Sequence, residues 1–425
     1  MYFITNVWIK WSASPMIITL SAFATPITNF PFPAVTVCNM NQARRSAVVQ
    51  LPYDSVDYSL VQSLCTQSVD DNITTLKPGK WIDFKRVLMK VSQSCEEMMV
   101  ACWYGGFEVK CMDIFQSILT DEGLCCTGNS MGLSLVLDVA EDEYYCSSTN
   151  SYGFKVLLHS PSETPKIAYY GTAVANGFET RVVIVPTLSE ASYSVRKVAR
   201  GIRQCLFESE NYLTFYRTYS RRNCQMECEA RILLSNCNCV LYYMPRFHDD
   251  ITICGRSDNG CVTEVNRKLQ SKTNSSFVCE CLPGCFALAY DTEMSLSPLL
   301  QRSPLLQRRK LVASDTAMVH IYYKDQSTRS QKKEELIGFT EFLSNTGGLL
   351  GLFMGFSVIS ISELFYFMTI RPYCNYIRIS QKRRHKFKRL FNKVRNLRFK
   401  KKSDETSNAL VALKTIDNVV FPYVE

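Results

Sequence analysis

Histidine is scarce in this chain: four residues, at positions 159, 248, 320 and 385, spread over 425. No Cys-x-x-Cys step occurs among the 19 cysteines. Zinc sites repeat Cys and His at short spacing, so no metal site is expected. An HExxH step, a phosphate-cradling glycine loop and a Ser/His/Asp set are all absent, so the chain is not expected to be an enzyme or to need a cofactor. Acidic residues are missing from Arg371 to Lys402, a stretch that holds 14 of the 48 Lys and Arg; elsewhere 34 basic residues face 39 acidic ones, a net of −5. The overall charge of +9 is therefore a property of the tail, and no nucleic-acid partner is expected. Internal repeats and low-complexity linkers are also lacking.

Cysteine is abundant instead. Eighteen lie between Cys38 and Cys285, and only Cys374 lies beyond the apolar run Gly347 to Ile370. An even number on one side of such a run points to disulfides in an oxidising compartment. Two glycosylation sequons, at Asn72 and Asn274, fall on the same side.

Between residue 12 and about residue 338 the pattern predicts a mixed α+β body. "GLSLVLDVAE", "GFKVLLHSP", "ETRVVIVPT" (ended by Pro186) and the alternating "MVHIYYK" read as strands. "WIDFKRVLMKVSQSCEEMMVACW" has helical spacing through Phe84, Val87, Leu88, Val91 and Met98. "NCQMECEARILLSNC" reads as a second helix with Cys224 and Cys228 on one face. The apolar opening "MYFITNVWIKW", residues 1–11, is shorter than a membrane span and lacks the basic start of a signal peptide. It reads as the end of a transmembrane helix whose beginning is missing.

Gly347 to Ile370 gives 24 residues with one charge, Glu363, enough to span a bilayer with some tilt. The basic run that follows puts residues 371–425 in the cytoplasm and the cysteine-rich part outside. Its Lys/Arg cluster either sets topology alone or also binds anionic lipid headgroups, worth about 1 kcal/mol per basic residue near the surface. Gly347, Gly351 and Gly355, with Gly348 beside them, form a smooth stripe suited to close helix packing. Ser357, Ser360 and Ser362 add hydroxyls, and a carboxylate such as Glu363 normally faces a bundle interior or water. Physical reasoning leaves two readings open: a pore-lining helix, or a single-pass receptor dimerising through its glycines. In a pore, Gly355 would expose a carbonyl and Ser357 a hydroxyl to a cation, above a ring of Glu363.

Longer motifs bear on that choice. "FPFPAVTVCN", "DEGLCCTGN", "GFKVLLHSPSETP", the cysteine-rich stretch from Cys205 to "CECLPGC", "GLLGLFMGFS" and "ELFYFMTIRPYC" together resemble the epithelial sodium channel/degenerin family, most of all its insect pickpocket branch. The resemblance runs from about residue 1 to Cys374. It implies a trimeric channel, homo- or heteromeric with related subunits, in the plasma membrane. Each subunit would have two transmembrane helices and an ectodomain of finger, thumb, palm, knuckle and β-ball, with the thumb at about 205–285 and the second transmembrane helix at 339–370. It implies voltage-independent, amiloride-sensitive conduction of sodium ions. Gly355, Phe356 and Ser357 would form the selectivity filter. Ser344 falls where a small side chain permits closure and a bulky one holds the pore open. Asn345 stands where many relatives have Asp, and Gly351 and Glu363 belong to the same pore helix. Trp11 sits where relatives place an aromatic that couples ectodomain to pore.

The family's disulfides, carried over by position, are Cys205–Cys285, Cys224–Cys281, Cys228–Cys279, Cys237–Cys261, Cys239–Cys254, Cys38–Cys125 and Cys102–Cys111. Among the rest, Cys65–Cys95 and Cys126–Cys146 are expected. Relatives open with a cytoplasmic segment bearing a His-Gly pair and a full first helix; this sequence departs from that pattern. A non-conducting cysteine-rich receptor or modulatory subunit is the alternative function.

Overall fold

The computed structural model describes residues 2–13, 16–65, 80–129, 132–248, 250–271, 278–355 and 357–401. It divides into two compact units, Ser14–Ile337 on one hand and Met1–Ala13 with Gly338–Glu425 on the other. The sequons at Asn72 and Asn274, and Phe356, lie outside the described residues.

Helix α1 (Tyr2–Ser12) belongs to the smaller unit. The larger unit is built on two sheets. The first runs β1 (Met16–Pro26), β15 (Ser327–Glu335), β12 (Phe178–Ala191), β14 (Thr316–Tyr323), β8 (Leu133–Asp138), β4 (Met99–Tyr104), β5 (Phe107–Val109), with β13 (Ala287–Pro298) also on β12. The second runs β11 (Thr172–Val174), β10 (Phe154–His159), β2 (Ala34–Asn39), β7 (Gly123–Gly128), β6 (Phe115–Thr120). A small ladder joins β3 (Asn41–Arg44) to β9 (Tyr144–Ser147).

β2 and β10 are buried along their whole length, and the polar residues among them are satisfied inside: Lys155 pairs with Glu122, the Thr36 hydroxyl lies beside His159 Nε2, and the Asn39 amide donates to the Val139 carbonyl. Their Val35, Val37, Phe154 and Val156 share a core with Leu135, Leu137, Ile184 and Val319 of the first sheet. β12 does alternate, burying Val182, Ile184 and Leu188.

The expectation that Pro186 ends its strand is corrected: β12 continues to Ala191. Pro186 faces Tyr290 of β13 on one side. On the other side β14 pairs only as far as Ile184 and β15 only from Ser189. The missing N–H therefore falls in a gap between two ladders, where no bond is lost.

Helices α2 (Val56–Leu64) and α3 (Trp81–Val91) form a side cluster. In α3 the expected face Phe84, Val87, Leu88, Val91 is buried. The expected continuation of this helix to Met98 and beyond does not occur. Ser92 turns extended, Ser94 and Glu97 close a capping box on a one-turn helix Cys95–Met98, and β4 begins at Met99. Helix α4 (Arg221–Cys237), capped by the Ser220 hydroxyl accepting from the Asn223 N–H, packs on α5 (Asn259–Ser271) around Met226, Ala230, Leu233 and Val265.

Nine disulfides staple this unit. Cys38–Cys125, Cys102–Cys111, Cys205–Cys285, Cys224–Cys281, Cys228–Cys279, Cys237–Cys261 and Cys239–Cys254 are the pairs that the resemblance implies. The other two correct the expectation: Cys65 joins Cys146 and Cys95 joins Cys126. The reason is strand alternation. Cys125 and Cys126 are neighbours on β7 and point to opposite faces, one toward β2 and the other toward the Cys95 helix. Cys146, on β9, is left to the end of α2.

In the smaller unit, α6 (Phe339–Met354), α7 (Val358–Phe365), a π-helical stretch Tyr366–Ile370 and α8 (Arg371–Lys401) follow in order.

Candidate pore helix

Helix α6 has two unlike faces. Phe342, Thr346, Leu349, Leu350 and Phe353 recur at steps of three and four and form one stripe. Against that stripe lies α1: Trp11 stacks on Phe342 at 4.6 Å, Trp8 meets Phe342 edge-on at 5.8 Å, and Phe3 stacks on Phe353 at 5.6 Å. Aromatic pairs of this kind contribute about 0.5–1.5 kcal/mol each beyond the area they bury.

A turn of 100° per residue puts Ser344, Gly348, Gly351 and Gly355 on the opposite side. All four are exposed, as are Asn345 and Gly347. A Cβ placed on Gly347, Gly348 or Gly355 would meet no atom within 4 Å. The glycines therefore do not serve the α1–α6 contact, which is aromatic; they leave a bare face on the far side.

The helix stops where the sequence contains Gly-Phe-Ser. Gly355 adopts φ 60°, ψ 21°, the left-handed conformation that ends helices, and its N–H closes on the carbonyls of Gly351 and Leu350. Two residues on, Ser357 caps α7: its Oγ accepts from the Ser360 N–H at 3.3 Å, and the Ser360 hydroxyl lies 3.3 Å from that of Ser357. The expected single helix over 339–370 is thus two helices, because one glycine supplies a C-cap and one serine an N-cap. Beyond the Gly351 carbonyl that Gly355 closes on, the carbonyls that end α6 have no i+4 N–H within that helix and point toward the break, at the negative end of its dipole. Among the described residues no single helix is long and apolar enough to cross a membrane; Phe339–Phe353 and Val358–Leu390 meet that length and composition together, as a pair bent by 86°.

Glu363 lies exposed on α7, two turns below the break. Ser362 bonds back to the carbonyls of Val358 and Ile359, so its hydroxyl is committed to its own helix. Sequence reasoning singled out Ser344, Asn345, Gly351, Gly355 and Ser357, which the fold places on α6 and at its end. It missed the role of Phe3, Trp8, Phe339, Phe342 and Phe353. Their signal was present, as aromatics at helical spacing in two separate segments. It also missed Ser360 as a member of the cap.

In the larger unit the titratable groups of note are buried. Burial pushes His159 down to about 4; its Nδ1 donates to the Ser160 carbonyl at 2.9 Å, and Nε2 lies 2.8 Å from the Thr36 hydroxyl. Burial lowers His320 also. Burial pushes Asp121 up to about 6, against the backbone N–H groups of Ala168, which donates at 3.1 Å, and Ile167. Its neighbour Glu122 is held by Lys155 Nζ at 2.8 Å.

The class of protein that these features define joins a disulfide-stapled, cysteine-rich α+β unit to an apolar helix broken at a glycine–serine pair. The sequence comparisons agree with that class. The family model for the amiloride-sensitive sodium channel matches residues 1–367. Pickpocket protein 28 of Drosophila melanogaster is 39% identical over 455 residues, covering 92% of this chain and 75% of that protein. Sodium channel protein Nach of Drosophila ananassae is 23% identical, covering 87% of this chain and 78% of its own. Human acid-sensing ion channel 2 is 27% identical, covering 79% and 72%. Among solved structures, a proton-activated chloride channel aligns over 86% of this chain and 91% of its own at 8% identity, with a TM-score of 0.28, too small to carry an argument. The chain belongs to the amiloride-sensitive sodium channel family, a family of ion channels and not of enzymes.

Proposed function

We propose that the chain is one subunit of a trimeric, voltage-independent, sodium-selective and amiloride-sensitive channel of the plasma membrane, with α6 and α7 lining the pore. The observation that carries this reading is the division of α6: an aromatic face occupied by α1, and a bare face of Ser344, Gly348, Gly351 and Gly355 that ends at a capped break. Three such bare faces around an axis make a narrow, polar-backbone path. At the break the last-turn carbonyls of α6 replace part of a sodium ion's hydration shell. Gly355, Phe356 and Ser357 then act as the filter, Ser344 and Asn345 line the mouth above it, and Glu363 forms a ring of carboxylates on the cytoplasmic side that attracts cations.

The cysteine-rich unit stands outside the cell, with glycans at Asn72 and Asn274, and the basic helix α8 begins a cytoplasmic tail. Its cations sit within reach of anionic lipid headgroups, each worth about 1 kcal/mol near the surface. The test is voltage clamp of cells expressing the chain, alone and with related subunits. Ser344→Val should hold an amiloride-blockable sodium current open, and Ser357→Leu should abolish it or move its reversal potential. No current with Ser344→Val in any combination, or an unchanged reversal potential and conductance with Ser357→Leu, would refute the assignment.

A further inference from the structure

Helix α8 has two faces of different chemistry. Tyr373, Tyr376, Ser380, Arg383, Phe387 and Leu390 follow one another at steps of three and four, so they share one side. Ser380 and Arg383 interrupt that side, and the other four are large and apolar. Tyr373, Tyr376, Phe387 and Leu390 are 62–73% exposed, so no element among the described residues covers them. A turn of 100° per residue puts Arg371, Arg378, Lys382, Lys386 and Arg389 on the opposite side. From Phe387 onward the sequence supplies apolar residues at i+3, i+4 and i+7, namely Leu390, Phe391 and Val394. That is the spacing by which an amphipathic helix seats its anchors in the groove of another protein.

Charge and helix geometry choose among the occupants of the apolar face. A second copy of α8 is a poor one: residues 371–402 hold 14 Lys and Arg and no Asp or Glu, so two copies side by side bring together only like charges. A bilayer surface takes such a helix lying flat in its plane. Helix α8 instead prolongs α7. The junction residues Tyr366 (φ −58°, ψ −49°) and Arg371 (φ −63°, ψ −49°) are right-handed helical, and Val358–Leu390 runs as one helix. At 1.5 Å per residue, Phe387 stands about 26 Å along the axis from Ile370. The headgroup layer is only about 5–8 Å deep on each side. Arg371 stays within reach of it; Phe387 and Leu390 do not. The charge that complements α8 is acidic, and the shape that complements its apolar face is a groove.

We propose that α8 is the target helix of an acidic EF-hand calcium sensor, with Phe387 and Leu390 anchored in the sensor's apolar groove and Lys382, Lys386 and Arg389 meeting its carboxylates. Such sensors expose that groove only when calcium opens their helix pairs, so calcium would control whether α8 is covered. The cytoplasmic position of the sensor rests on the channel reading above; the affinity of the helix does not.

The test uses the full chain reconstituted in phosphatidylcholine nanodiscs, with fluorescently labelled calmodulin as probe and anisotropy as readout. Calmodulin should bind saturably with calcium and lose binding in EGTA. Phe387→Glu with Leu390→Glu should weaken it by about tenfold or more, because the anchors are lost. Lys382→Gln, Lys386→Gln and Arg389→Gln together should also weaken it by about tenfold, and more salt should do the same to the parent. Phe387→Leu should retain binding, and the melting temperature of each variant guards against misfolding. Nanodiscs that also contain phosphatidylserine should leave the affinity unchanged. No saturable binding, binding undiminished by EGTA, or unchanged affinity in the double glutamate variant would overturn the proposal. So would loss of calmodulin binding when phosphatidylserine is present, since the membrane would then be the occupant. No arm measures current, so a failure here and a failure of the channel reading are told apart.

Discussion

Replacing Gly355 by alanine tests the break in α6 directly. At φ 60° this residue is in the left-handed region, where a Cβ costs an L-residue about 1 kcal/mol or more. No atom lies within 4 Å of the new methyl group, so the cost is conformational and not steric. Alanine also favours a continuous helix over glycine by about 1 kcal/mol. Both terms act in one direction and together amount to about 2 kcal/mol, roughly a 30-fold shift toward an unbroken helix. An unbroken helix returns the last-turn carbonyls to internal hydrogen bonds and takes them away from a permeant ion. The assay is voltage clamp with sodium and potassium exchanged in the bath, the current normalised to surface protein by biotinylation. Sodium current per surface channel should fall, and its reversal potential should move toward that of a less selective pathway. Gly355→Asn should fall less on backbone grounds, because asparagine tolerates the left-handed conformation. Ser357→Ala, which removes the cap of α7 at about 1 kcal/mol, should act in the same direction as Gly355→Ala. Currents and reversal potentials of Gly355→Ala that superimpose on the parent's would refute the reasoning.

Three further outcomes concern the larger unit. Lys155→Met leaves Glu122, only 1% exposed, without its cation; thermal or denaturant unfolding should show a loss of about 3–5 kcal/mol, with much of it recovered when Glu122→Leu is added, and a loss under 1 kcal/mol would contradict the pairing. Asp121 has its carboxyl pushed up to about 6 from an ordinary 3.8, so its ionised form weakens the fold, and the native state loses stability as pH rises through that window. Asp121→Asn should therefore melt with the parent near pH ~4 and above it at pH ~7; a gap that does not grow with pH would count against this. Non-reducing peptide mapping should recover Cys65 with Cys146 and Cys95 with Cys126. Removing the latter pair, which closes a 31-residue separation, should cost about 3.7 kcal/mol, and recovery of a Cys65–Cys95 peptide would refute the assigned connectivity.

Much of this protein was legible in the order of its residues. Periodicity located β8, β10, β12 and β14, the buried face of α3, and the helix that carries Cys224 and Cys228. Cysteine count and charge asymmetry separated a disulfide-rich part from a basic tail. Those signals are local: a strand or helix writes its own period into its own sequence. Gly355 and Ser357 were also legible as singular, because a left-handed cap and an N-cap each require a particular residue type at a particular step. Tertiary structure decided what depends on partners distant in the chain. Pro186 lies inside a strand because two ladders on its bare side happen to leave a gap there. Cys126 meets Cys95, and Cys65 meets Cys146, because β7 turns its adjacent cysteines to opposite faces. The glycine stripe stands free because the contact it seemed made for is taken on the other face of α6 by Phe3, Trp8 and Trp11, and only folding brings those first residues beside Phe342 and Phe353.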